Sequence, residues 1–226
     1  MKTPNRASLP FGITLLSLVL GPVGLWANEV PLLPPDCEVE LALQAAPEAL
    51  RSEAGVYAWT KKGYEQVRGS TNGFNCIVNR DHPKSLKPTC FDAEGSETIV
   101  PKIVMWGSFL AAGEELTAIS AKIDAAFESG ELIRPRRAGV AYMLSGFNRP
   151  VNPASGASRS FPPHVMFYAP DLTGDDIGFT HAGSQANPAL PFIAYQGPHG
   201  YMVVITGAGD GVDIGEPPSC KGGLTK

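Results

Sequence analysis

The sequence predicts an α+β fold: one domain on a mainly antiparallel sheet, with a helical hairpin packed against it. Three observations predict it. Short apolar runs rich in β-branched and aromatic residues recur along the chain, the strongest being 139–145 and 164–169. One long stretch of helical periodicity, 96–130, stands between two groups of such runs and breaks in two at Gly113. Four cysteines, Cys37, Cys76, Cys90 and Cys220, give the even count of a disulfide framework.

Residues 1–27 open with Lys2 and Arg6, continue with an apolar stretch from Phe11 to Trp26, and reach Ala27 before the polar Asn28 and Glu29. A basic start, an apolar run of about 16 residues and a small residue before polar chain are the marks of a secretory signal peptide. The short run, broken by Gly21, Pro22 and Gly24, disfavours a retained membrane anchor. Cleavage after Ala27 removes two basic residues and no acidic one, taking the formal net charge from −4 to −6. The remaining 28–226 stretch is therefore expected to be a soluble secreted or periplasmic domain with no membrane span. Its acidic balance argues against a nucleic-acid partner. In such a compartment the favoured pairing is Cys76–Cys90, closing a local loop, with Cys37–Cys220 tying the two ends.

Residues 28–36, with Pro31, Pro34 and Pro35, read as an extended lead-in, and 38–46 as a short helix stopped by Pro47. Next comes a three-stranded meander over 55–60, 64–68 and 74–78. Its turns are Lys61-Lys-Gly63 and a segment ending in Asn72-Gly73, residues that accept positive φ. Residues 79–95 read as a polar loop that Cys90 pins to the third strand. A first helix starts at Ser96 or Val100 with Pro101 in its first turn; a second carries Leu116, Ile119, Ile123 and Phe127 and is capped by Gly130. The runs 139–145 and 164–169 are apolar at alternate positions on both faces, which predicts neighbouring strands buried on both sides at the sheet centre. Thr173 opens a one-turn helix, 191–195 is an edge strand because Pro191 lacks a donor, and 201–206 is a further strand. After Gly207 the chain is a tail held by Cys220. One hydrophobic core is expected.

The glycine-rich run 203–215 resembles the strand and turn of a short-chain dehydrogenase. That chemistry needs a helix and a further strand beyond the turn, and the 11 residues after Gly215 include Pro217, Pro218 and Cys220, so no dinucleotide or other cofactor is expected. Asn72-Gly-Phe-Asn-Cys76 and His164-Val-Met-Phe-Tyr168 are similar to the cysteine and histidine motifs of the NlpC/P60 peptidases, which implies a Cys/His hydrolase. In that family the cysteine begins a helix, whereas Ile77-Val78 here continues a strand. His164 and His181 with one carboxylate are weak metal candidates, since no two histidines fall at a recognised ligand spacing. His164 follows Pro162-Pro163 and opens a strand. Its plain reading is a ring bonded to a backbone carbonyl; its functional reading is a pocket with Tyr168, Tyr142, Asn72 and Arg80.

Taken together, Glu40-Leu-Ala-Leu43 through Pro47, Gly63-Tyr64, Thr71 to Cys76 with Arg80, the 139–145 run and Pro163 to Pro170 resemble a family of exported bacterial proteins without an established activity. The resemblance implies a bacterial exported protein and no chemistry. The expected function is binding of a small ligand or envelope component in a cleft near His164. The alternative is a hydrolase in which His164 acts as general base for Cys76 or for a metal-bound water.

Overall fold

The computed structural model describes residues 30–152, 155–179, 183, 187, 189–207, 217–220 and 224. Among them, eight strands pair into one sheet: β1 (Gly55–Thr60), β2 (Gly63–Arg68), β3 (Asn75–Asn79), β4 (Lys87–Phe91), β5 (Val140–Met143), β6 (His164–Tyr168), β7 (Phe192–Tyr195) and β8 (Tyr201–Ile205). Their order is β2-β1-β3-β4-β5-β6-β8-β7, antiparallel at every junction except β1–β3. Five helices accompany them: α1 (Pro35–Leu43), α2 (Glu48–Arg51), α3 (Ala93–Thr98), α4 (Val100–Ala111) and α5 (Leu116–Ser129). This is a mixed α+β fold with a helical hairpin, α4–α5, packed on the sheet.

Alternation of side chains divides the buried residues between the two sheet faces. On one face, Trp59, Ile77, Phe91, Met143 and Met166 meet Ile103 and Leu110 of α4 and Ile119 and Ile123 of α5. On the other, Val56, Cys76, Val78 and Cys90 meet Leu41 and Ala42 of α1. The single core expected from the sequence is thus two clusters on opposite faces of one sheet. Both disulfides lie in the second, Cys76–Cys90 across the β3–β4 pair and Cys37–Cys220 from α1 to the tail.

Several expectations need correction. The meander is not one: β3 leaves the β1–β2 hairpin and pairs parallel to β1 on its other side. Gly55 allows this, because a Cβ there would lie 2.1 Å from Asn75 Oδ1 and 3.1 Å from the Arg68 carbonyl, the two strands that flank it. The 79–95 loop contains β4 and the start of α3, whose N-cap Asp92 accepts from the Gly95 N–H at 2.9 Å. Helix α1 begins at Pro35 rather than Glu38, since proline at the first helical position loses no hydrogen bond. Thr173 opens a turn rather than a helix, its N–H and hydroxyl both donating to Asp176 Oδ2. Strand β6 is not buried on both sides, as Phe167 is 41% exposed. Gly130 does cap α5 with a left-handed φ of 81°. Residues 1–27, expected from the sequence to be a signal peptide, His181 and the glycine run 208–215 lie outside the described residues. No helix among the described residues is long and apolar enough to cross a membrane.

Candidate functional site

Strands β3 to β8 turn Asn79, Lys87, Thr89, Met143, His164, Met166, Tyr201 and Val203 toward the helix-bearing side of the sheet, and beyond the helical hairpin these residues are left as the floor of a cleft of about 200 Å³. The 148–161 segment supplies one wall through Asn148, Pro150, Arg159 and Phe161, and β7 the other through Phe192, Ala194 and Tyr195. Most of these surfaces are apolar or aromatic. The volume is below the roughly 300–1,000 Å³ of drug-sized pockets, so the space suits a molecule about one ring in size.

His164 is at the first position of β6, 4% exposed, paired in register with Met143 of β5 and Ile205 of β8. Its Nδ1 lies 2.9 Å from the Pro162 carbonyl oxygen, and the Phe161 ring meets it edge-on at 4.9 Å. A carbonyl only accepts, so Nδ1 carries the hydrogen and Nε2 is left as an acceptor. No partner for Nε2 occurs among the described residues. Burial, with a smaller contribution from the charge of Lys87, pushes the imidazole pKa down to about 4 and keeps the ring neutral. Asn148, 2% exposed, is the second polar group in the cleft, and its Oδ1 is buried without a hydrogen-bond partner.

Two further polar groups on the floor, Lys87 and Thr89, are occupied. Burial works against the charge of Lys87, but its ion pair with Asp81 outweighs this and holds the ammonium pKa above the usual range. The Thr89 hydroxyl donates to the Lys87 carbonyl at 2.9 Å. A catalytic reading would need a base poised nearer neutrality and a free nucleophile. Here the imidazole is a weak base and the Thr89 hydroxyl is already donated to a backbone carbonyl.

Of the residues expected to share a pocket with His164, the cleft includes none. Tyr168 is on the same strand and face, but its hydroxyl donates to Asp92 Oδ1 at 2.7 Å and approaches the Val140 carbonyl at 2.9 Å, so it braces α3 and β5. Tyr142 points to the opposite face and stacks on Phe74, centroids 6.2 Å apart. Asn72 organises a turn, donating to the Leu50 carbonyl and accepting from the Phe74 N–H, each at 3.0 Å. Arg80 is buried in a two-pronged ion pair with Glu38, both contacts 2.6 Å. Cys76 is bonded to Cys90 on the sheet face away from His164, which removes the Cys/His hydrolase pair. Among the described residues no three His, Cys, Asp or Glu side chains group as a metal site.

The residues that do line the cleft were missed at Asn148, Lys87, Arg159, Tyr195 and Tyr201. The signal for part of them is the alternation Lys87, Thr89, Phe91, which puts all three on one face once 87–91 is recognised as a strand.

A second cavity, about 670 Å³, adjoins the first. Its lining includes Pro31, Arg80, Lys84, Leu86, Arg149, Ser158 and Ser160, and Arg159 stands in the wall of both. Arg149 Nη1 donates to Ser160 Oγ at 2.7 Å, fixing its guanidinium over Phe147. Comparison of the chain with family models, with curated proteins and with solved structures finds no match.

Proposed function

We propose that this is an exported bacterial binding protein that takes a small, ring-sized ligand carrying a hydrogen-bond donor in the cleft at His164. The observation that carries the reading is Asn148 Oδ1, an acceptor buried without a hydrogen-bond partner in a mostly apolar cleft, beside His164, whose Nε2 is left as an acceptor once Nδ1 bonds the Pro162 carbonyl. A buried acceptor without a donor costs about 1–3 kcal/mol, a cost that a ligand N–H or O–H would remove. Two disulfides fit an oxidising compartment. Together with the signal-like 1–27 stretch they support export, and a secreted product should begin at Asn28 by mass.

Met143 and Met166 line the cleft and report on it directly. In protein carrying 13C-methyl methionine, phenol is expected to shift these two methyl signals and to leave Met105, which is packed on the helical side of the core, unmoved. Ala194 is exposed on the β7 wall, so Ala194→Trp fills the space without removing a core side chain. It should abolish the shifts. Phenol shifts that persist in Ala194→Trp, or none at saturating phenol in the parent protein, would falsify the reading.

A further inference from the structure

We infer that the ligand is an oxyanion on a hydroxyl-bearing ring, a carboxylate or phosphate, whose ring enters the cleft hydroxyl first while Arg159 and Arg149 take its charge at the mouth. The inference rests on the cleft being a binding site. It deepens that reading from the distribution of charge. The chain as a whole has 22 acidic residues against 18 basic, yet no acidic side chain lines either cavity among the described residues. Lys84, Arg149 and Arg159 line them instead, with no carboxylate partner among the described residues.

The interior of the cleft offers no net charge, because Lys87 is matched by Asp81. An anionic group would find nothing there to offset the loss of water, so the charged end must stay outward. Arg159 is the residue placed to meet it: exposed, in the wall shared by both cavities, its guanidinium 5.9 Å from the centre of the Phe161 ring that closes over His164. Arg149, held by Ser160, offers a second planar fork from the adjoining cavity. Guanidinium forks match the paired oxygens of carboxylate and phosphate.

The test is titration of the full-length protein with 3-(4-hydroxyphenyl)propionate, its neutral counterpart 3-(4-hydroxyphenyl)propanamide, and 4-hydroxyphenyl phosphate, read from the Met143 and Met166 methyl signals. The acid should bind about tenfold more tightly than the amide, and added NaCl should narrow the gap. Arg159→Gln, at an exposed side chain without a hydrogen bond or ion pair among the described residues, should remove most of that gap; Arg159→Lys should restore part of it. Tighter binding of 4-hydroxyphenyl phosphate assigns the group as phosphate, and the reverse order assigns it as carboxylate; either supports the inference. Equal binding of acid and amide, or an unchanged gap in Arg159→Gln, overturns it while the cleft reading stands. Failure of all three probes to shift either methionine overturns both.

Discussion

His164 serves two roles through its two nitrogens. Nδ1 fixes the turn after Pro162-Pro163, and Nε2 is left facing the cleft. Its depressed pKa has a stability consequence with a definite sign. The unfolded imidazole takes its proton near 6.5 and the folded one only near about 4, so between those values the unfolded chain binds more protons. Stability is full above pH 6.5 and is lost as pH falls toward 4, by up to roughly 3 kcal/mol from this residue. His199, pushed down by burial to about 3, acts in the same direction. Urea midpoints at pH 7 and 4.5 should therefore fall further in the parent protein than in His164→Gln, which loses the His164 contribution and keeps that of His199. Equal falls would mean that His164 is solvated. The sequence marks His164 well, because two prolines and an apolar run place it at a strand start. It does not place its companions. Tyr142 pairs in register with Val165, not with His164, and that offset of one residue turns it to the opposite face. Tyr168 shares the face of His164, but an aspartate far away in sequence, Asp92, claims its hydroxyl. Tyr168→Phe should cost about 1–3 kcal/mol by urea unfolding, through the Asp92 carboxylate left short of a donor, and should leave phenol binding intact.

At the scale of elements, helices α4 and α5 are legible because their signals are local: Pro101 in a first turn, apolar spacing along one stripe, Gly130 at a C-terminus. Strand β4 is hidden by its proline. Pro88 argues against a strand interior, yet the ladder from β4 to β5 covers only Cys90 and Phe91, so Pro88 stands outside it. The order of strands is not legible either, since alternation establishes that a strand exists and not which neighbour it takes. One long-range contact that helps fix α1 against the sheet is the buried pair Glu38–Arg80, 2% and 1% exposed. Around it, Trp59 N donates to Glu38 Oε1 at 3.3 Å, Arg80 Nη1 to the Val78 carbonyl at 3.0 Å, and Arg80 N to the Tyr64 hydroxyl at 2.8 Å. Neither charge is near water, so losing one partner strands the other. Glu38→Gln should destabilise by about 3–5 kcal/mol in urea unfolding. Glu38→Met with Arg80→Met should cost less than the sum of the two single changes, because no charge is then left alone. Additive costs would show that the pair is not coupled.

At the scale of the whole molecule, the described residues form one sheet with the cleft on one face and both disulfides on the other. Thr89 and Phe91 line the cleft while Cys90 between them reaches through to Cys76 on the far side, so the β3–β4 disulfide anchors the cleft floor from behind. The second disulfide spans 183 residues and fastens the tail to α1, where Ser219 N also donates to Glu40 Oε2 at 3.1 Å. The two ties should differ in what they contribute. If they act by restricting the unfolded chain, the 14-residue link is worth about 3 kcal/mol and the long one about 5. Paired serine substitutions separate the two: Cys37→Ser with Cys220→Ser should lose more stability in urea than Cys76→Ser with Cys90→Ser. Phenol binding should follow the opposite order, untouched by opening the remote tie and weakened by opening the one behind Thr89 and Phe91. Loss of phenol binding on opening Cys37–Cys220 alone would place the cleft under the control of the tail and separate it from the β3–β4 scaffold.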